Sequence, residues 1–550
     1  MQQWGAWMSR IRVTFTYHGR IKAPFLQTGQ EIAEYGFDRS ALRNHKDQLI
    51  LSGYQILGNL KHVLRGLFGI TEKESAVGLD LLISGTKQDC KLSGEEFIEF
   101  FGQEEENALP AGVKLFDALL SRDTDPPQTI TGIGAPETRS AQDPETGAVK
   151  DGFLVTSETH FAPEEVVRFD GSGYCLVSTM DDAKRLFRVL NWVAGQIVLL
   201  GADKTAGYGR ALEFVFDTPT EKPLWALTNV AAARRYKFDV TSDRPLVLSP
   251  RKRSGNVLES LDYIPGDVMF GAVADWLKLS GKYDYFKGVL AEIRLLHCYP
   301  TKEGTNDRPV PVSWATTQNE LVPAGLVLHR DSFRNDPVSS DGFSFVPERV
   351  FRTRTAVTEG DLTPKDEQLY TTSALSPEGV KWIGGLEWVG KDSPPDKFVE
   401  FAKALGAGLP RLGRTAAPVS ITLHAMGEVS IAAETNVSIQ LLSDAWMTNL
   451  QGAQDMHQIY ESYFRCLLSE AVRLKDFAAI QANRTTPKFR NDVWPLTLTG
   501  SEFALIINDE ARDKLNRLAQ TGLPPFDAQA HFETCPFIRA NGYGDFLVRT

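Results

Sequence analysis

Residues 38–66 read DRSALRNHKDQLILSGYQILGNLKHVLRG, and the rest of the sequence can be interpreted outward from this stretch. After a polar loop and the turn Ser52–Gly53, apolar residues recur with helical spacing at positions 56, 57, 60, 63, 64, 67 and 68. Such a stripe predicts a helix with one face on a core. Because the turn directly precedes the helix, its free N–H groups could receive a phosphate, which makes Gly53, Lys61 and Arg65 candidate anion ligands.

The same signal occurs twice. Pro265–Gly266 opens a second apolar helix, as Ser52–Gly53 opens the first. Arg139 is followed by a segment that resembles the one after Arg354, and Gly195 and Gly406 each follow an apolar helix. Three landmarks in one order and at nearly one spacing indicate a duplicated domain.

Composition restricts the class of protein. The 550 residues are 42% hydrophobic and 23% charged, which is typical of a globular protein of several domains. No apolar run approaches the roughly 18 residues that span a bilayer, and the N-terminus lacks a signal peptide, so we expect no membrane partner and a cytoplasmic location. Five scattered cysteines predict buried, reduced thiols. The net charge of −11 argues against nonspecific nucleic-acid binding, although local basic patches decide docking.

The predicted order of elements is β-α-β-β-α-β, an α+β fold of the ferredoxin-like, RRM-like kind with one open sheet face for a ligand. We predict one such domain over residues 1–217, with a polar, thumb-like insertion near 121–152. A second domain is predicted over 224–427, and a smaller α+β unit over 428–550. The tandem domains carry insertions and glycine-rich loops.

The glycine-rich loops are the second candidate site. The loop GADKTAGYGR (201–210) is not a nucleotide-binding P-loop, because it lacks the GxxxxGK[ST] order and precedes a strand. It is either a strained turn or a loop that follows an RNA backbone. Related loops occur at 406–414 and 542–544. The RNA-binding alternative, together with the basic clusters, selects Lys204, Tyr208, Arg210, Arg411, Arg414, Tyr543, Arg139, Arg251, Lys252, Arg253, Gly266 and Arg354.

The combination of IPGxxxxG before a helix and a closing GYGR loop resembles the RAMP superfamily of CRISPR RNA-binding proteins. Residues 1–217 resemble a backbone (Cas-seven-type) subunit of type III effectors, although LSGY stands where the family has IPGS. Residues 224–550 resemble the type III-D cap (Cas-five-type) subunit, with LDYIPGDVMFGA, RPVPVSW and RTRTAVTEG. The resemblance implies a fusion of the two.

The resemblance also implies a function in antiviral defence. Asp38 matches the aspartate with which backbone subunits cleave target RNA, using Mg²⁺ or Mn²⁺. The corresponding position of the second repeat is Arg251, so that half is expected to bind the 5′ handle of the guide without cutting. The implied partners are guide CRISPR RNA, target RNA and the other subunits of the ribonucleoprotein complex: the large polymerase-type subunit, further backbone subunits and the small subunit.

Two alternatives to a metal-dependent endoribonuclease (a hydrolase) remain open. The chain could be a non-catalytic scaffold that only binds guide RNA, with Asp38 a loop carboxylate. It could also be a metal-independent endoribonuclease that processes guide precursors, with His18 or His45 as general base.

Overall fold

Strand β1 (Ile11–Lys22) shows how the sequence builds the first sheet. Its residues alternate, so that Val13, Phe15, Tyr17 and Ile21 are buried while the residues between them lie on the other face. The computed structural model describes residues 10–23, 28–29, 40–44, 46–69, 80–83, 90–101, 112–142, 149–201, 209–248, 251–252, 257–302, 314–317, 320–323, 347–357, 364–427, 431, 433–448, 455–479, 481–486, 489–527, 530 and 534–549.

After β1, the elements of the first domain are β2 (Thr28–Gly29), β3 (Ser40–Ala41), β4 (Ile50–Leu51), α1 (Gly53–Phe68), β5 (Asp80–Ile83), β6 (Cys90–Ser93), α2 (Gly94–Phe101), β7 (Val113–Leu115), β8 (Ala118–Arg122), β9 (Gln128–Thr129), β10 (Ala135–Gln142), β11 (Val149–Thr159), β12 (Val166–Val177), α3 (Met180–Ala194), β13 (Arg210–Phe216) and β14 (Thr220–Lys222). Its main sheet has the strand order β13-β1-β12-β8. Apolar residues of helices α1 and α3 bury one face of this sheet in a single core with the strands.

The second domain repeats this order of strands. Its elements are β15 (Arg235–Ser242), β16 (Arg251–Lys252), β17 (Val257–Glu259), α4 (Gly266–Leu279), α5 (Tyr283–Ala291), β18 (Ile293–Leu295), β19 (Tyr299–Lys302), β20 (Trp314–Thr317), β21 (Glu320–Pro323), β22 (Arg349–Val357), β23 (Pro364–Leu375), β24 (Val380–Trp388), α6 (Asp396–Leu405), β25 (Leu409–Leu412) and β26 (Ala417–Met426). The sheet runs β18-β24-β15-β26, so the first strand again lies between the third and the fourth.

The predicted landmarks of the duplication lie at corresponding places. Gly53 and Gly266 are the first residues of helices α1 and α4. Arg139 and Arg354 lie on β10 and β22, the first strands of the hairpins β10–β11 and β22–β23. Gly195 and Gly406 cap the C-termini of α3 and α6. The α+β, tandem ferredoxin-like fold predicted from the sequence is confirmed.

The C-terminal unit is a third copy of the fold, which the sequence analysis did not recognise. Its elements are β27 (Asn436–Leu441), α7 (Met456–Leu467), β28 (Arg473–Ala478), β29 (Gln481–Thr486), β30 (Phe489–Thr497), β31 (Glu502–Ile506), α8 (Asp509–Thr521), a 3₁₀ turn (Arg539–Asn541) and β32 (Phe546–Arg549). The sheet order β28-β31-β27-β32 is that of the other two domains. Each domain also inserts a hairpin between its second and third main strands, here β29–β30.

Two further predictions from the sequence are wrong: the helical spacing of apolar residues predicts one helix over 456–480, and Asp181 is predicted to cap the helix that follows it. The helix predicted over 456–480 ends at Leu467, because the residues from Arg473 alternate as a strand and Leu474 packs in the core from β28. Helix α3 is capped by Thr179, whose hydroxyl accepts the Asp182 N–H at 3.1 Å, and not by Asp181.

Consecutive domains pack by one repeated contact. The turn before the last strand of the second domain lies on the sheet of the first, where the Tyr174 hydroxyl donates to the carbonyl oxygen of Ala416 at 3.1 Å. The turn before the last strand of the third domain lies on the sheet of the second, where Arg294 pairs with Asp545 at 3.4 Å. In both pairs, the turn before the last strand of the following domain therefore lies on the sheet of the domain before it.

Two predictions from composition can be compared with the structure. Cys175, Cys298 and Cys535 are free and buried as predicted, whereas Cys466 is free but exposed. No helix within the described part of the chain is long and apolar enough to cross a membrane.

Candidate nucleic-acid interface

The predicted catalytic and metal-binding residue, Asp38, lies outside the described residues, but the segment that begins two residues later is described. Strand β3, Ser40–Ala41, pairs with Thr28–Gly29. The Ala41 N–H donates to Glu158 Oε2 at 2.8 Å. Glu158 belongs to β11, the second strand of the first domain's hairpin, so one carboxylate joins the segment after Asp38 to that hairpin.

Glu158 is the centre of a buried polar network. Its side chain is 2% exposed and accepts hydrogen bonds from Arg43 and, at 2.8 Å, from the Gly134 N–H. His160 Nε2 lies 2.8 Å from Glu158 Oε1. Burial alone would raise the pKa of Glu158, but the hydrogen bonds from Arg43 and from the N–H groups of Ala41 and Gly134 lower it to about 2. The network therefore holds a charged carboxylate and fixes the loop against the hairpin.

Arg43 completes the network. Its Nη2 donates to the Gly132 carbonyl oxygen at 2.9 Å, and its Nε lies 3.1 Å from Asp47 Oδ1. Burial lowers the pKa of His160, while the Glu158 charge acts in the opposite direction. A His–Glu–Arg set whose members pair with one another in this way is a positioning element, since Glu158 and Arg43 make their hydrogen bonds within the protein.

The N-terminus of helix α1, predicted to receive a phosphate, already has an acceptor. The Gly53 N–H donates to Asp117 Oδ1 at 3.0 Å. A Cβ at Gly53 would lie 2.5 Å from the Leu115 carbonyl oxygen, so glycine is required by the close approach of the neighbouring backbone. The physical role of this glycine is thus packing, and a phosphate would have to displace Asp117.

The second repeat has the same arrangement with a different acceptor. The Gly266 N–H donates to Nδ1 of His297 at 3.0 Å, and His297 is buried. Burial, and next the charge of Arg294, lower the pKa of His297 to about 3, which keeps the imidazole neutral and able to accept. At both predicted anion sites the glycine N–H thus already has a side chain of the protein as its acceptor.

The glycine-loop candidates of the second and third domains also have structural partners. Arg411 pairs with Asp275 of α4, with Nη2 at 2.6 Å from Oδ1. The ring of Tyr543 contacts His297 and Phe537 edge-on, with centroids 4.8 and 5.1 Å apart. Arg414 is exposed, and its N–H donates to the Val247 carbonyl oxygen at 2.9 Å. Of these three, only the Arg414 side chain lies on the surface.

The other predicted ligands are spread over several surfaces. Lys61 and Arg65 are half-buried on α1, and Arg210 is exposed at the start of β13. Lys204, Tyr208 and Arg253 lie outside the described residues. For four more the structure describes the strand and not the side chain, and these are Arg139 on β10, Arg251 and Lys252 on β16, and Arg354 on β22. These residues remain candidates.

The structure adds a site that the sequence analysis missed, which we call the interdomain cleft. It is a cavity of about 880 Å³ between the open sheet face of the first domain and the second domain. Its charged lining consists of Arg12, Lys222 and Arg244 against one carboxylate, Asp243. Hydroxyl groups supply much of the remaining polar lining, from Thr14, Thr16, Thr218, Thr220, Thr241, Ser172, Ser242 and Ser420.

Arginine side chains in the interdomain cleft keep unused hydrogen-bonding capacity. Arg244 Nη2 donates to Ser172 Oγ at 3.0 Å, and its guanidinium carbon lies 4.6 Å from the centroid of the Phe116 ring. The Arg12 guanidinium lies 4.9 Å from the centroid of Tyr174. Nε of both arginines is buried and donates no hydrogen bond within the described part of the chain, although Arg244 Nε lies 3.9 Å from Asp243 Oδ2. Such groups call for a further partner, and the nearby positive charge favours an anion.

A sequence signal for this cleft exists. Residues 12, 14, 16, 18, 20 and 22 of β1 are Arg, Thr, Thr, His, Arg and Lys, and they alternate with the buried residues. The period of two therefore predicts a polar, basic row on the face opposite the core. His18, a candidate base, lies in this row with Nδ1 3.6 Å from Asp217 Oδ2, whereas His45 lies outside the described residues.

A preformed metal site is absent from the described residues, where no three His, Cys, Asp or Glu side chains are grouped to hold an ion. Of the described carboxylates near the Asp38 segment, Glu158 and Asp47 both pair with Arg43. A divalent ion at Asp38 would therefore depend on phosphate oxygens and water for its other ligands.

No known protein family matches the sequence, and no curated protein does. Two similar solved chains come from the type III-B Cmr-beta complex. In the complex with cognate target RNA and AMPPnP, the chain is 13% identical with a TM-score of 0.30, over 52% of this chain and 95% of that one. In the complex with cognate target RNA, the values are 12%, 0.28, 53% and 96%. Scores this low carry no argument, so the fold stands on the strand order of the three sheets.

Proposed function

We propose that the chain is a guide-RNA-binding subunit of a type III CRISPR ribonucleoprotein effector, and that single-stranded RNA lies in the interdomain cleft. The observation that carries the proposal is the set of three cations, Arg12, Lys222 and Arg244, that line the cleft between the open sheet face of the first domain and the second domain. The sequence motifs that resemble RAMP proteins support it independently, since they do not include these three residues.

The physical chemistry of the cleft suits a sugar–phosphate backbone. Guanidinium and ammonium groups pair with phosphate oxygens, and hydroxyl side chains contact phosphates and 2′-hydroxyl groups. The net charge of −11 repels RNA from the rest of the surface, so binding is confined to local positive patches. Recognition of this kind positions the strand without reading its sequence.

The test is a titration of fluorescent single-stranded RNA with the full chain at several salt concentrations. Arg12→Ala and Arg244→Ala should each weaken binding and lower the salt slope by about 0.7 per lost phosphate contact. Arg188→Ala is the matched control, because Arg188 is exposed on α3, on the opposite side of the same sheet. Equal loss of affinity in the control, or no loss in the cleft variants, would refute binding in the cleft.

We extend the proposal to cleavage of target RNA at Asp38. The supporting observation is that Ala41, three residues after Asp38 in the sequence, is hydrogen-bonded to Glu158 of the hairpin, which gives this part of the chain a fixed anchor beside the proposed RNA path. An Mg²⁺ or Mn²⁺ ion held by Asp38 and by RNA phosphate would supply charge stabilisation and an activated nucleophile. The second repeat, with Arg251 at the matching position, would bind the 5′ handle of the guide without cutting.

The cleavage assay uses assembled complex, target RNA and Mn²⁺. Loss of cleavage in Asp38→Ala with unchanged RNA affinity supports the proposal. No cleavage by the unaltered chain would leave the non-catalytic scaffold, and cutting of guide precursor in EDTA would identify the processing nuclease instead.

A further inference from the structure

A second cavity, which we call the sheet pocket, lies on the open sheet face of the first domain beside the interdomain cleft. It has a volume of about 390 Å³ and shares Thr16, Ser172 and Arg244 with the cleft. The strand register brings its lining together, since His18 on β1 is paired with Asp170 on β12, and Asp170 with Leu119 on β8. The side chains that distinguish the sheet pocket from the cleft are those of His18, Asp117, Leu119, Arg168, Asp170 and Asp217. A strand of RNA in the cleft would therefore pass beside the sheet pocket.

The balance of charge in the sheet pocket is opposite to that in the interdomain cleft. The lining of the sheet pocket holds three carboxylates, those of Asp117, Asp170 and Asp217, against the two guanidinium groups of Arg168 and Arg244. The cleft has three cations and one carboxylate. A phosphate is therefore favoured in the cleft and disfavoured in the sheet pocket. A group that enters the sheet pocket has to bring hydrogen-bond donors to its carboxylates.

Two charged pairs of the sheet pocket are accessible to a ligand. Asp217 Oδ2 accepts the Thr16 hydroxyl and lies 3.6 Å from His18 Nδ1. Arg168 donates to Asp170 from Nε at 2.8 Å and from Nη2 at 3.0 Å, and within the described residues its Nη1 makes no hydrogen bond. The side chains of the two pairs are between 37 and 45% exposed. The sheet pocket thus offers a carboxylate acceptor and a guanidinium donor to the same ligand.

A nucleobase has the properties that this lining selects. Its edges carry donors and acceptors without charge, and its ring can lie on an apolar side chain such as Leu119, which is 40% exposed. Guanine presents two adjacent donors, N1–H and the 2-amino group, to a carboxylate, and it presents O6 and N7 to a guanidinium group. Cytosine and adenine bring one amino group each, and uracil brings a single N–H between two carbonyl oxygens. Guanine therefore fits the lining best.

We propose that the sheet pocket binds a guanine base of the RNA strand in the interdomain cleft, with Asp217 accepting from N1–H and the 2-amino group and Arg168 donating to O6 or N7. This inference rests on the proposed function, because Arg12, Lys222 and Arg244 have to hold the sugar–phosphate backbone in the cleft. The cleft then supplies affinity that is independent of sequence, and the sheet pocket adds a preference for one base.

The first test compares three fluorescent RNA probes of about ten nucleotides in titrations with the full chain. One probe is oligouridine, the second carries a single central guanosine, and the third carries inosine there, which lacks only the 2-amino group of guanosine. The guanosine probe should bind at least fivefold more tightly than either of the others, because a bidentate base contact discriminates roughly 5- to 150-fold. Equal affinities of the guanosine and inosine probes would refute the guanine site and leave binding in the cleft intact, whereas absence of RNA binding would refute both proposals.

The second test measures the ratio between the affinities for the guanosine and inosine probes in two variants. Asp217→Asn should lower this ratio to about one, because a side-chain amide cannot accept from both donors of guanine. Asp181→Asn is the matched control, since Asp181 is 91% exposed on α3, on the helical side of the same sheet, and this variant should keep the ratio within twofold of the unaltered chain. An unchanged ratio in Asp217→Asn would refute the assignment of Asp217. A folding defect lowers binding of both probes alike, so it does not change the ratio.

Discussion

Replacing Glu158 by glutamine tests the buried network that fixes the segment after Asp38. The folded protein lowers the pKa of Glu158 from 4.5 to about 2, and one pKa unit corresponds to about 1.36 kcal/mol. Ionised Glu158 therefore stabilises this region by about 3 kcal/mol at neutral pH. Because the folded pKa is the lower one, this stabilisation is complete above pH 4.5 and is lost as the pH falls towards 2.

The assay is native-state hydrogen exchange, since a chain of three domains does not unfold in one step. The N–H groups of Ala41 and Gly134 both donate to Glu158, so their exchange reports opening of the network. Glu158→Gln should accelerate exchange roughly a hundredfold at pH 7, the equivalent of about 3 kcal/mol.

The control is Glu164→Gln, which removes an ion pair of a carboxylate that is 75% exposed. It should change exchange at Ala41 and Gly134 by less than threefold, because exposed pairs contribute about 0–1 kcal/mol. A change of less than threefold in Glu158→Gln as well would refute the reasoning.

Three further predictions concern the helix starts and the contact between the second and third domains. Gly53→Ala should destabilise the first domain by about 1–3 kcal/mol in thermal unfolding, because the new Cβ would lie 2.5 Å from a carbonyl oxygen. On the same helix Gly58→Ala, with nothing within 4 Å, should be neutral or stabilising by up to about 1 kcal/mol. The pKa of His297 is about 3 in the folded protein, so the open form binds a proton more readily than the folded form as the pH falls below 6.5. Opening of peptides 260–270 and 539–545 should then become easier by up to about 1.4 kcal/mol per pH unit. The measurement is hydrogen exchange corrected for the intrinsic rate. Arg294→Leu should lower the free energy of unfolding by about 3–5 kcal/mol, because it leaves buried Glu387 without one of its two cations. Unchanged hydrogen exchange of peptide 539–545 in this variant would contradict the buried pair.

The elements with strong periodicity could be predicted from the sequence, since a helical stripe or an alternating strand is a local property. Helix α1 and strand β1 are of this kind. The third domain could not be recognised, because strand order depends on contacts between residues far apart in the chain, and its helix α7 shares its apolar pattern with the following strand. The recurring glycines, Gly53 with Gly266 and Gly195 with Gly406, do mark corresponding positions in the first two domains.

The chemistry around those glycines could not be predicted. Whether the N–H of Gly53 or Gly266 can bind an anion depends on Asp117 and His297, which are distant in sequence and accept these N–H groups. The interdomain cleft likewise forms from residues of two domains. By contrast, the polar row of β1 in the cleft can be predicted, because polar residues from Arg12 onward alternate with apolar ones.

The contact between Tyr174 and Ala416 has a consequence for synthesis of the chain. The two residues are 242 positions apart, and Ala416 belongs to one of the last parts of its domain to leave the ribosome. At a synthesis rate of about 5–20 residues per second, Ala416 is added on the order of tens of seconds after Tyr174. Until then the apolar patch around Tyr174 and Leu176 lacks this contact. During this interval the nascent first domain exposes this apolar patch and lacks the second-domain wall of the interdomain cleft. Chaperone protection of the growing chain is therefore expected to matter most before the second domain is complete.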